Sequence, residues 1–196
     1  MADLVTLAEY KEAEGIVSPK EDLRLATLVP AVSQLVKTYC GNSIIDFYSS
    51  AKTETISVNY ETHIIQLTES PVNSITSVEE RASYNESYTT LTTGNYEYYL
   101  DSSTDCLYRT NGSAYYRNWH RGPGAVRVVY TAGYSAVPAD LKLAVYDLIT
   151  YYLKDEHKQR QTLAGASVQN QGSTSMRNNP AFPDHIKRVL DLYKTY

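Results

Sequence analysis

The sequence predicts an α+β protein in which helical segments at both ends of the chain flank a β-rich insertion, followed by a mobile C-terminal arm and a last helix. Three observations carry this. Apolar residues recur at helical spacing before residue 42 and again after residue 138. Residues 52–131 are instead rich in Thr, Ser, Tyr, Val and Ile, with turn residues at short intervals. Residues 165–179 are polar and rich in Gly, Ser, Asn and Gln, and an amphipathic segment follows them. The expected organisation is a helical core from 1–51 and 132–164, a β-rich insertion at 52–131, and a flexible loop with a docking helix at 165–196.

Thr6-Leu7-Ala8-Glu9 fits a capping box, with Val5 and Tyr10 placed as a hydrophobic staple. This first helix is short and ends by Gly15. Ser18-Pro19-Lys20-Glu21 reads as a second box with Pro at the first helical position. Leu25, Leu28, Val32, Leu35 and Tyr39 then mark one face of a helix that ends at Gly41, with a kink expected at Pro30. Strands are expected at 54–60, 62–67, 75–80, 96–100, 106–109 and 125–131. Pro71 closes the second, Asn111-Gly112 marks a hairpin turn, and Gly122-Pro123-Gly124 marks another turn.

The stretch AVRVVYTAGYSAVPADLKLAVYDLITYYLKDEHKQR, from Ala125 to Arg160, feeds a strand directly into a core helix. Gly133 breaks the strand and Pro138 sits at the first helical position. Leu141, Val145, Leu148 and Tyr152 follow at spacings of four, three and four, which places them on one helical face. After the loop, Pro183-Asp184 opens the last helix. Its stripe of Ile186, Val189, Leu190 and Tyr193, with Phe182 just before it, suits docking onto a partner.

At 196 residues the chain is long enough to bury a real core. Its 22 acidic and 18 basic residues, a net charge of -4, argue against a dedicated nucleic-acid binder. Cys40 and Cys106 make no disulfide framework. The start MADLVTLAEY lacks a basic region and an apolar run, so no signal peptide is expected. No apolar run approaches the ~20 residues of a membrane span. A soluble protein made in a cytoplasm is the expectation.

Nothing in the chain reads as catalytic. His63, His120, His157 and His185 lack metal-ligand spacing with one another or with Cys, and GxSxG, HExxH and Walker patterns are missing. Glu79 and Glu80 alternate across a strand and face opposite sides, so they form no carboxylate pair. No catalytic residue, cofactor or metal is expected. The run Arg117, Asn118, Trp119, His120, Arg121 offers contact to phosphate or a partner; its plainer reading is a solvated hairpin end. The 19 Tyr, against 2 Phe and 1 Trp, fit either subunit contacts or simple β-propensity.

TLAEYKEAEGI, the helix end YCGN, the segment ESPVNSITSVEE and above all VVYTAGYSAVPADLKLAVYDLITYYLKDE resemble phage head–tail connector (adaptor, head-completion) proteins. The resemblance covers residues 4–48, 62–80 and 125–155, with a weaker echo at 182–194. Its strongest part is the strand–AGY–xVP–helix junction. Residues 81–124 depart from the short-form pattern and mark a longer, β-inserted member.

The resemblance implies a helical bundle that assembles as a ring, expected to be dodecameric, beneath the portal protein after packaging. Such a ring extends the channel for passing double-stranded DNA, held non-specifically. It closes the head and offers a platform to a downstream neck, stopper or tail protein. The C-terminal part, with Phe182, Ile186, Val189, Leu190 and Tyr193, is implied to dock on the portal. A virion location at the head–tail junction follows. The acidic balance suits a channel that must not grip phosphates. A β-rich tail or baseplate binding component is the competing reading, and the helices at both ends weigh against it.

Overall fold

The computed structural model describes residues 2–113, 115–155 and 182–194. The loop expected at 165–179, and with it His157, Lys158 and Arg160, lies outside the described residues. The chain divides into two compact units, residues 1–42 with 136–196, and residues 43–135.

The first unit is helical. Helix α1 (Leu7–Ala13) starts as its sequence dictates: Thr6 Oγ1 accepts the Glu9 amide, and the Glu9 carboxylate reaches back to the Thr6 amide at 2.7 Å. Val5 and Tyr10 are both buried, completing the staple. Helix α2 (Asp22–Cys40) begins later than the Ser18 box implies. Ser18 Oγ accepts the Lys20 amide, and the Asp22 amide bonds to Pro19 O, so residues 18–21 form a turn that leads into the helix.

The buried side of α2 is Leu25, Val29, Val32, Val36 and Cys40. That is a four-three-four-four spacing rotated from the expected face, with Leu28, Leu35 and Tyr39 only half-buried. The helix runs on through Pro30, which sits on its exposed side, and ends at a left-handed Gly41. Helix α3 (Ala139–Leu153) buries Leu141, Val145 and Leu148 as its spacing predicts, while Tyr152, the fourth residue of that face, is only half-buried. Helix α4 (Asp184–Asp191) follows Pro183.

Polar ties join these helices. Tyr10 shares a hydrogen bond of 2.9 Å with Thr150, Lys142 Nζ meets Glu9 at 2.7 Å, and Leu4 N donates to the buried Ser33.

The second unit is built from antiparallel strands in two sheets. The larger sheet has the order β1 (Lys52–Val58), β7 (Gly122–Ala132), β3 (Val72–Glu80), β4 (Thr89–Leu91). The smaller has the order β2 (Ile64–Gln66), β6 (Cys106–Arg109), β5 (Tyr98–Asp101). Their inner faces share one core, which includes Val78, Val126 and Val128 from the first and Ile65 and Leu107 from the second.

Strand β7 is central, so it is paired on both edges. Val126, Val128, Tyr130 and Ala132 point into the core at period two. Segment 81–124, which had no counterpart in the short-form pattern, supplies β4, β5, β6 and the start of β7. Strand β4 was not expected from the sequence.

Gly122-Pro123-Gly124 does not form the separate turn that its composition suggests. It opens β7 across a register shift, with Gly122 opposite Val58. Gly124 has φ +57, and a Cβ there would lie 2.8 Å from Arg81 Nη2 and 3.1 Å from Thr55 Cγ2. Gly133 ends β7 at φ +95, where a Cβ would meet the Ile44 carbonyl oxygen at 2.3 Å. Only glycine satisfies both demands at that position.

Candidate interaction surface

The residues named from sequence fall into three environments. In the C-terminal segment, Phe182, Ile186 and Leu190 are buried inside the helical unit. Val189 and Tyr193 are half-buried. The Phe182 ring packs on Tyr39 at 4.8 Å, Cys40 Sγ reaches Leu190 O at 3.7 Å, and Tyr193 donates to Asp140 at 2.6 Å. The stripe therefore has long-range partners within its own chain, which corrects the expectation that it awaits an external one. Burying it against α2 and α3 removes apolar area that a free helix would leave in water.

The run at 117–121 is split. Trp119 is 2% exposed and belongs to the β core, which corrects its reading as part of a solvated tip. Its amide bonds to Thr62 O at 2.9 Å and its indole N–H to His63 O at 3.1 Å. His120 is half-buried, with Nε2 3.5 Å from Glu80 Oε1. Arg117 and Arg121 remain at the surface, Arg121 lying 3.9 Å from Glu61.

Beneath His120 lies an ion pair invisible in the sequence. Arg109 and Glu80 meet in bidentate fashion, Nε to Oε2 at 3.0 Å and Nη2 to Oε1 at 2.8 Å, both side chains almost fully buried. The pair links β6 of one sheet to β3 of the other, and Arg109 Nη1 also donates to Glu97 O at 2.6 Å. Each charge is thus partnered, as burial requires. A second network sits at Tyr130. Its hydroxyl donates to Glu54 at 2.6 Å and accepts the Glu69 amide at 3.2 Å. Burial pushes the Tyr130 phenol well above its ordinary range, so it stays a donor.

The outer face of the smaller sheet is aromatic. Cross-strand register places Ile64, Tyr108 and Tyr99 side by side, while Ile65, Leu107 and Leu100 take the core side. The chain after Asn111-Gly112 folds back through a Thr110–Tyr116 bridge and lays Tyr116 5.8 Å from Tyr108 and 4.6 Å from His63. Tyr99 is 61% and Tyr116 69% exposed. The high tyrosine count was the available signal; the site itself depends on strand pairing, which sequence spacing does not give.

This face offers flat rings and hydroxyl donors but no activated group. Among the described residues no three His, Cys, Asp or Glu side chains are arranged to hold a metal ion. Burial raises the Cys40 thiol to about 11, so it is not a ready nucleophile. Nor is any helix among the described residues long and apolar enough to cross a membrane.

Known proteins resemble this chain in three ways. A family model described as Head completion protein matches residues 3–196. The chain is 31% identical over 72 residues to the Head completion protein of Escherichia phage T5, a stretch that spans 36% of this chain and 39% of that relative. The fold is similar to a chain in the neck of the empty gene transfer agent (GTA) particle with C6 symmetry, at TM-score 0.58 and 16% identity, over 98% of this chain and 90% of that one. It is also similar to a chain in the neck of the native GTA particle with C12 symmetry, at TM-score 0.57 and 14% identity, over 100% and 94%. Those identities speak for the fold alone. The family model, matching nearly from end to end, is decisive: the chain belongs to the Head completion protein family.

Proposed function

We propose that this chain is a structural protein of the phage neck that forms a ring beneath the portal, extends the DNA channel, closes the packaged head and carries the next neck, stopper or tail protein. The observation that supports it best is that the family match and the likeness to neck components both run over nearly the whole chain. The C12 symmetry of one of those necks favours a ring of twelve copies. The protein is made in the host cytoplasm and acts in the virion, and its role is structural rather than enzymatic.

The portal contact takes a changed form. Since Phe182, Ile186 and Leu190 are occupied inside the helical unit, contact falls to the outward residues of the C-terminal segment, Arg188 and Leu192 among them. DNA passes without being held. A net charge of -4 opposes tight phosphate binding, and any contact is backbone-only, through Arg117 and Arg121.

The test is to make particles without this protein. The expected product is heads that package DNA but release it and carry no tail, with both defects restored by adding the purified protein. Tailed, infectious particles made in its absence would overturn the reading.

A further inference from the structure

The exposed side of α2 is unlike that of the other helices. Its outward residues Leu23, Thr27, Pro30, Ala31, Gln34 and Thr38 carry no charge over more than four turns. The one exposed charge on the helix, Arg24, is neutralised at 3.0 Å by Asp155. By contrast α3 exposes Asp140 and Asp147, and α4 exposes Asp184, Arg188 and Asp191. A helix facing water ordinarily carries charges on its outer face. Leu23 on this side is 87% exposed.

The tyrosine face of β2–β6–β5 is likewise poor in charge. Tyr99, Tyr108, Tyr116, His63 and Ile64 cover it, with Asp101 only at its margin. Depletion of charged side chains together with enrichment in Tyr is the composition of an interface core.

From these two surfaces we infer that the uncharged face of α2 on one copy seats against the tyrosine face of β2–β6–β5 on the next copy. The inference rests on the ring reading above and names its contact. Identical copies each carrying net -4 repel wherever like-charged surfaces meet, so a copy-to-copy contact belongs where charge is missing. A closed ring of more than two copies needs two different, complementary surfaces on each chain, and the chain exposes two. The side chains on the two surfaces also suit one another. Ala31 and Pro30 leave a shallow backbone surface on which flat rings lie, and Thr27, Gln34 and Thr38 supply partners for tyrosine hydroxyls.

The experiment uses particles assembled with a Cys106→Ser chain that carries both Ala31→Cys and Tyr116→Cys; Cys40 is buried and stays silent. A short bis-maleimide should give a ladder of covalent multimers up to the full ring. Either single-cysteine version should give monomer only, because a head-to-tail contact never juxtaposes a residue with itself. A ring visible in the neck without a ladder overturns this contact while leaving the ring reading intact. The absence of any ring overturns both. Crosslinking of Ala31→Cys to a different virion protein also overturns it.

A second measurement does not depend on cysteine chemistry. Ala31→Glu or Tyr116→Glu alone should cut incorporation into particles roughly tenfold. Ala31→Glu combined with Tyr116→Lys should restore it, and failure of that pair to restore overturns the contact.

Discussion

The helical unit and the β unit close their cores by different means. In the helical unit the buried polar groups reach the backbone, Ser33 accepting the Leu4 amide and Lys37 donating to the Ala2 carbonyl, while the side-chain ties of Glu9 with Lys142 and Tyr10 with Thr150 lie nearer the surface. In the β unit the interior includes a buried ion pair, Arg109 with Glu80, and a tyrosine whose hydroxyl joins two glutamates. Apolar helix faces tolerate small shifts in register, because contact area is non-directional. A bidentate guanidinium–carboxylate bond does not, so it fixes one sheet against the other in a single register. Stability in the two units should therefore answer to different substitutions.

The largest expected effect is in the β unit. Arg109→Met leaves Glu80 buried without its cation and should cost about 3–5 kcal/mol. Hydrogen exchange should show the loss in β3 and β6, with the helices little affected. Replacing Arg109 and Glu80 together by apolar residues of similar volume should cost far less. An equal loss in the double variant would mean that the pair itself, rather than an orphaned charge, sets the cost.

In the helical unit the matching probe is Leu190→Ala, expected to cost about 2–5 kcal/mol through the cavity it leaves. Leu192→Ala, one turn-face away and 77% exposed, should change stability by less than about 0.5 kcal/mol. Urea midpoints compare them directly. If the two are alike, α4 is not part of the helical core and the apolar stripe is free for a partner after all.

Two smaller effects sharpen the picture at α1. Thr6→Ala removes the cap and should cost about 1 kcal/mol. Bonds from Lys142 and Thr6 hold the Glu9 carboxyl down at about 2, below its ordinary 4.5. The native state thus binds fewer protons than the unfolded chain. Its contribution is complete above pH 4.5 and fades as pH falls towards about 2. Glu9→Gln should flatten that part of the pH dependence in unfolding midpoints taken above about pH 5 and near pH 3. An unchanged slope would show that other carboxylates carry the acid sensitivity.

Local features of the fold were legible and non-local ones were not. The Thr6–Glu9 box and the Leu141, Val145, Leu148 face depend on residues within one or two turns, and both are as read. The start of α2 was misplaced because Ser18 and Pro19 make an equally good turn. The amphipathic stripe of α4 was legible, but its partners lie some 150 residues away, at Tyr39 and Cys40. Gly122-Pro123-Gly124 carries a strong turn signal, which pairing with β1 overrides. Trp119 hides among polar neighbours because its burial is set by His63 and Thr62, distant in sequence. The tyrosine face escaped for the same reason: Tyr99 meets Tyr108 only through strand register.

The central claim is tested most directly by imaging the neck of purified particles at a resolution that traces this chain. The account predicts a closed ring of identical copies seated on the portal around the DNA channel, with the next neck or tail protein on its far side. Finding the chain at the tail tip or baseplate, or as isolated copies that do not close around the channel, would contradict it.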